Sequence, residues 1–176
     1  MSDQPQRFYG KYRGTVLSNV DSQQIGRVQV QVSDVLGAAS SSWAMPSMAA
    51  AGSQAGMFIV PPVGSQVWVE FEQGDPDYAI WTGGFWGSSA DAPAQSSTPP
   101  PTGDGQNIVL QTTGQSIVVL SDAPPTATSG GIILQSGGAS IIVNQTGIYI
   151  SNGTATINLV GNTVSINGTA LTIVGS

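Results

Sequence analysis

Apolar side chains recur along this chain at every second position, the period of a strand with one buried face. From Gly26 to Val32 the sequence reads GRVQVQV, with Val28, Val30 and Val32 alternating against Arg27, Gln29 and Gln31. Gln66 to Glu72 repeats the pattern, placing Val67, Val69 and Phe71 on one face and Trp68, Glu70 and Glu72 on the other. Gly14 to Val20, Met57 to Val60 and Tyr78 to Thr82 add three more short runs, the last following the turn Gln73-Gly74-Asp75-Pro76. Five short strands with no helical period predict a small closed barrel, an architecture that hides its sheet edges. The stretch from Trp43 to Val63, broken by Pro46, Gly52, Pro61 and Pro62, reads as a long loop.

Beyond Gly105 the pattern becomes a repeat. Couplets of the form apolar, any, apolar fall at Ile108/Leu110, Ile117/Val119, Ile132/Leu134, Ile141/Val143, Ile148/Ile150, Ile157/Leu159, Val164/Ile166 and Leu171/Ile173. The first members are separated by 9, 15, 9, 7, 9, 7 and 7 residues, with one excursion around Asp122 to Ser129. Between couplets stand Gly, Asn, Thr, Ser and Gln, as in Gly137-Gly138, Asn152-Gly153 and Gly161-Asn162, residue types that permit the positive φ of sharp corners. Two inward side chains per repeat cannot bury themselves in a lone ribbon. Three chains wound about one axis, each strand pairing with its neighbours' strands, would bring six couplet residues together in every layer. The expectation is a three-chain intertwined triangular β-helix, with those sixteen residues as the trimer core.

The fold class is therefore all-β in two parts. Ala90 to Gly105, ADAPAQSSTPPPTGDG, is a composition break with little capacity for regular structure. This gives a barrel with an N-terminal extension at 1–90, a Pro/Ser-rich linker at 91–106 and a β-helix at 107–176. All four basic residues, Arg7, Lys11, Arg13 and Arg27, lie in the first part, and Gly105 to Ser176 holds a single charge, Asp122. With a net charge of −6, attraction to nucleic acid or to an anionic membrane surface is not expected. No apolar run approaches a bilayer span, and no secretory signal is read at the start.

The absence of His and Cys removes the Ser/His pair, the thiolate nucleophile, the zinc cluster and the disulfide framework together. Glu70 and Glu72 share a strand face, but neighbours on one short strand cannot flank a sugar from opposite sides. Asp75 and Asp77 lack the spacing of a calcium loop and read as a turn. The three Asn-x-Thr triplets at Asn144, Asn152 and Asn167 read as corners. Of Trp43, Trp68, Trp81 and Trp86, the first three are expected in barrel packing, and Trp86, among glycines after the last strand, is the candidate docking anchor. No catalytic residue, metal ligand or cofactor site is read from the chain.

A family resemblance rests on Gly26 to Val32, on Pro62-Val63-Gly64-Ser65-Gln66-Val67-Trp68-Val69-Glu70-Phe71, on Gly74-Asp75-Pro76-Asp77 and on Ile80-Trp81-Thr82-Gly83. These resemble the barrel domain of phage baseplate-assembly protein V and the related VgrG spikes, and the order barrel, linker, repetitive β-helix is similar as well. The resemblance implies an OB-type barrel on a homotrimeric, non-enzymatic central spike of a contractile tail baseplate. Such a needle pierces the target cell envelope and docks on a tail hub protein at its barrel end, with Trp86 as a possible hub contact. It would be located in the virion tail baseplate or an equivalent injection particle, made in the bacterial cytoplasm. Many relatives end in a His-x-His pair that binds iron, and this chain ends in Leu171-Thr172-Ile173-Val174-Gly175-Ser176. The tip, Ile173, Val174, Gly175 and Ser176, is therefore expected to carry no metal and to be completed by a PAAR-type tip protein. The alternative is a trimeric tail-fibre or adhesin segment that binds a cell-surface receptor.

Overall fold

A computed structural model describes residues 6–96, 107–122, 130–168 and 170–174, apart from the side chains of Thr172 and Val174. Gly175, Ser176 and the 97–106 part of the linker lie outside the described residues. The chain forms two compact units, Met1–Gly87 and Ser88–Ser176.

In the first unit, alternating valines form the expected strands. Strand β1 (Tyr12–Ser18) lies between β2 (Gln29–Gln31) and β6 (Gln66–Phe71), and β6 continues the sheet to β7 (Ala79–Phe85) and β3 (Met45–Pro46). All of these pairs are antiparallel except β3 with β7, where Met45 faces Ile80 and Pro46 faces Trp81. Two isolated bridges, Val28 with Ala44 and Gln31 with Ser40, tie the β2 segment to the chain leading into β3 and bring the curled sheet round on itself. The inward residues are those the alternation selects: Val28, Val30, Val32, Val67 and Val69 are fully buried, joined by Val16, Phe71 and Trp81.

Three details differ from the expectation. Met57 to Val60 is not a strand: Met57, Phe58 and Ile59 are exposed, and Pro61 and Pro62 beyond them have no N–H to offer a ladder. The long loop instead holds β3 and a small ribbon of β4 (Ala51–Gly52) with β5 (Ala55–Gly56). A single helical turn, α1 (Ser33–Leu36), follows β2.

The second unit contains β8 (Asn107–Gln111), β9 (Ile117–Ser121), β10 (Gly131–Ser136), β11 (Ala139–Asn144), β12 (Gly147–Ser151), β13 (Thr156–Val160), β14 (Thr163–Ile166) and β15 (Leu171–Val174). They form one sheet in chain order, and each strand pairs antiparallel with the next. The expected winding pairs each strand with neighbouring chains; within this chain each strand pairs with the next instead. Here both edges of every strand from β9 to β14 are occupied within the chain. Local turn chemistry explains the difference. Gly137-Gly138 and Gly161-Asn162 are two-residue hairpin loops whose first residues hold φ near 57°, so the chain reverses and pairs with itself at little loop-closure cost. Two further corners, the two-residue turn at Gln145-Thr146 and the longer one at 152–155, are closed by side chains. Asn144 Oδ1 accepts the N–H groups of Thr146 and Gly147, and Asn152 Oδ1 accepts those of Thr154 and Ala155.

Candidate functional site

The antiparallel register turns the couplets into two continuous rows across the second unit's sheet. One row runs Ile108, Leu120, Ile132, Val143, Ile148, Leu159, Val164, Ile173, each directly opposite the next. The second runs Leu110, Val118, Leu134, Ile141, Ile150, Ile157, Ile166, Leu171. Facing residues share one side of a sheet, so both rows lie on the same face. They are wholly aliphatic, and their exposure reaches 50% at Ile108 and 59% at Ile173. Val118, Val164 and Ile166 are half-buried.

Seven of the eight couplets stand on this one face. In β9 the face carries Val118 and Leu120, while Ile117 and Val119 point to the opposite side. There they are buried with Ile133, and Val109 and Ile142 pack against them. The run Ile117-Val118-Val119-Leu120 is apolar throughout, so alternation within it could not select a face; the partners Leu110 and Leu134 do. The opposite side changes character along the sheet. It is apolar at Val109, Val119, Ile133 and Ile142, passes through Tyr149, and is polar at Asn158 and Ser165. An aliphatic face of this extent has the chemistry of an assembly surface, because monomers rarely expose contiguous apolar area beyond a few hundred Å².

Three ion pairs lie in the first unit among the described residues. Arg7 meets Asp75 at 2.7 Å, Lys11 meets Glu70 at 2.9 Å and donates to Thr82, and Arg27 meets Asp21 at 2.6 Å. The Arg27–Asp21 pair is the shielded one. Asp21 also accepts the backbone N–H groups of Gln23, Ile25 and Arg27, and Arg27 stacks over Trp43. The Arg27 guanidinium, supported by those N–H groups against the cost of desolvation, holds the Asp21 carboxyl far below the usual carboxylate range. Glu70 is thus an ion-pair partner, and Asp75 anchors a turn by accepting the N–H of Asp77. Trp81 donates its indole N–H to Gly26 from within the core. Trp68 stacks with Phe85, and Arg13 lies over both rings. Trp86 is 64% exposed.

No curated protein matches the chain. Two family models do, and each falls within one of the two units. Residues 12–86 match the type VI secretion system/phage-baseplate injector OB domain, in agreement with the curled sheet of the first unit. Residues 107–172 match the phage baseplate V C-terminal trimerisation domain, the region of the two aliphatic rows. Between them the matches take in most of the chain, which belongs to the phage baseplate V family of baseplate and injector spike proteins, a trimerising OB-domain protein.

Proposed function

We propose that this chain forms the non-enzymatic central spike of a contractile tail baseplate, a homotrimeric needle that pierces a cell envelope. The observation that carries the reading is the pair of aliphatic rows. Three copies, each presenting one self-paired sheet with its rows turned to a common axis, bury sixteen aliphatic residues per chain and leave Asn158 and Ser165 outward. Each residue taken from partial exposure to full burial adds about 1 kcal/mol. Because all strand pairing is internal to each chain, the sheets meet through side chains alone. Eight strands stacked at about 4.8 Å give a shaft on the order of 35 Å long. Its mechanism is mechanical: it resists compression and concentrates a force generated elsewhere.

Both ends then have work to do. The OB-type unit docks a tail hub, with Trp86 as the exposed anchor. At the other end β15 pairs only with β14 among the described residues, and Leu171 and Ile173 are exposed. An open strand edge beside apolar side chains suits a PAAR-type cap protein. Light scattering tests the reading first: a homotrimer weighs three times 17.9 kDa, about 54 kDa. A monomer at micromolar concentration would refute it, as would an electron-microscopy envelope with no shaft.

A further inference from the structure

The tetrapeptide Asn-Gly-Thr-Ala occurs twice in the second unit, as 152–155 between β12 and β13 and as 167–170 between β14 and β15. The two asparagines are held differently. Asn152 Oδ1 accepts the backbone N–H groups of Thr154 at 3.1 Å and Ala155 at 2.8 Å, and the Thr154 hydroxyl at 3.1 Å. Its side chain is thereby folded back over its own peptide bond to Gly153. That residue has no side chain, so the path from its nitrogen to Asn152 Cγ is open. The same nitrogen donates to Ser151 Oγ at 3.0 Å, and the corner 152–155 is exposed to solvent. Asn167 is instead tied across the sheet to β13: its Oδ1 accepts the Thr156 N–H, and its own N–H donates to the Thr156 carbonyl. Asn144 has a cage like that of Asn152, built from the Thr146 N–H and hydroxyl and the Gly147 N–H, but Gln145 follows it.

Donors gathered on one amide oxygen stabilise the negative charge it takes up when a nucleophile adds to its carbon, as in an oxyanion hole. We propose that Asn152 is a site of spontaneous deamidation, its own corner promoting cyclisation with Gly153. The Gly153 nitrogen gives up its proton to water, by way of Ser151 Oγ, and bonds to Asn152 Cγ, while the electron pair of the carbonyl moves onto Oδ1. That pair then returns, the Cγ–Nδ2 bond breaks, and Nδ2 takes a proton from water and leaves as ammonia. Water opens the cyclic imide to aspartate or isoaspartate. An aspartate at 152 inherits the same donors, which hold a carboxylate more strongly than an amide. Each event adds one negative charge to a chain in which Asp122 is the only charge from Gly105 to Ser176. The tie to Thr156 draws Asn167 away from Gly168, and the Gln145 side chain obstructs the nitrogen that follows Asn144. This chemistry needs no second chain.

The test follows the purified full chain at pH 8 in heavy-oxygen water, with peptide mass spectrometry locating each oxygen taken up. The expected result for the folded protein is conversion of Asn152 at least tenfold faster than Asn167. In urea the two rates converge, because the identical tetrapeptides lose their different partners. Gln145→Gly is expected to bring Asn144 up to the rate class of Asn152, and Thr154→Val to slow Asn152 severalfold by removing a donor. Asn152→Asp should melt no lower than the parent. Equal rates at Asn152 and Asn167 in the folded protein overturn the proposal, since the tetrapeptide alone then sets the chemistry. An Asn152 that converts more slowly when folded than in urea overturns it too, because the cage is then a restraint.

Discussion

Val118 stands directly across from Leu134 on the aliphatic face, while Val119, one residue further along the same strand, is fully buried on the other side. Two adjacent valines thus serve different structures. Val118→Asp is expected to leave a folded second unit that no longer trimerises. Val119→Asp places a carboxylate inside the unit and unfolds it, as circular dichroism and light scattering on the two variants would separate. Loss of strand signal in both would place Val118 in the chain's own core.

A parallel contrast holds further along the shaft. Ile157 and Ile166 face each other on the aliphatic side, and Asn158 lies on the reverse. Ile157→Asp or Ile166→Asp brings three carboxylates to one axis, where desolvation and mutual repulsion act together. Either should abolish the trimer at micromolar concentration, whereas Asn158→Asp keeps it with a melting temperature within a few degrees of the parent. Equal behaviour of the two faces would contradict the inward assignment.

Two glycines are required by close approach. A Cβ at Gly131 would lie 2.1 Å from the Val143 carbonyl oxygen, and one at Gly147 would lie 2.2 Å from that of Leu159. Gly147→Ala should cost about 3 kcal/mol per protomer in chemical denaturation, because the obstacle is backbone and the ladder must shift. Gly137, at a hairpin tip with open space around it, should accept Asn with a loss under about 1 kcal/mol.

The Asp21–Arg27 clasp has a definite pH signature. The folded carboxyl titrates below its unfolded value, so its stabilisation is complete above about pH 5, shrinks once pH falls through the unfolded value and is lost as pH falls through the folded one. All four tryptophans lie in the first unit, so their fluorescence follows that unit's melting alone. Wild type should melt well above Asp21→Asn at pH 7, by an interval that stays constant down to about pH 5 and closes only in stronger acid. A constant interval down to pH 2 would show that the carboxylate's charge is not what holds the loop.

Much of this architecture is legible in the amino-acid sequence because a strand's side-chain period is exact. Alternation at Val28, Val30 and Val32 and at Val67, Val69 and Phe71 selects the barrel core residue by residue, and seven couplets of the second unit are assigned to one face on the same ground. Asn and Gly at the corners specify reversal. Tertiary structure alone decided the rest. An unbroken apolar run such as Ile117 to Leu120 contains no alternation, so its inward face is set by the strands that pair with it, and those are 7 to 17 residues away in Leu110 and Leu134. Whether a strand pairs within its chain or between chains is likewise invisible to periodicity, since both arrangements place the same side chains inward; tight hairpin loops are what let this chain pair with itself. The exposed Met57 to Ile59 run and the Asp21 clasp under it depend on which distant segments meet. A sequence records which residues are apolar, and only packing determines what covers them.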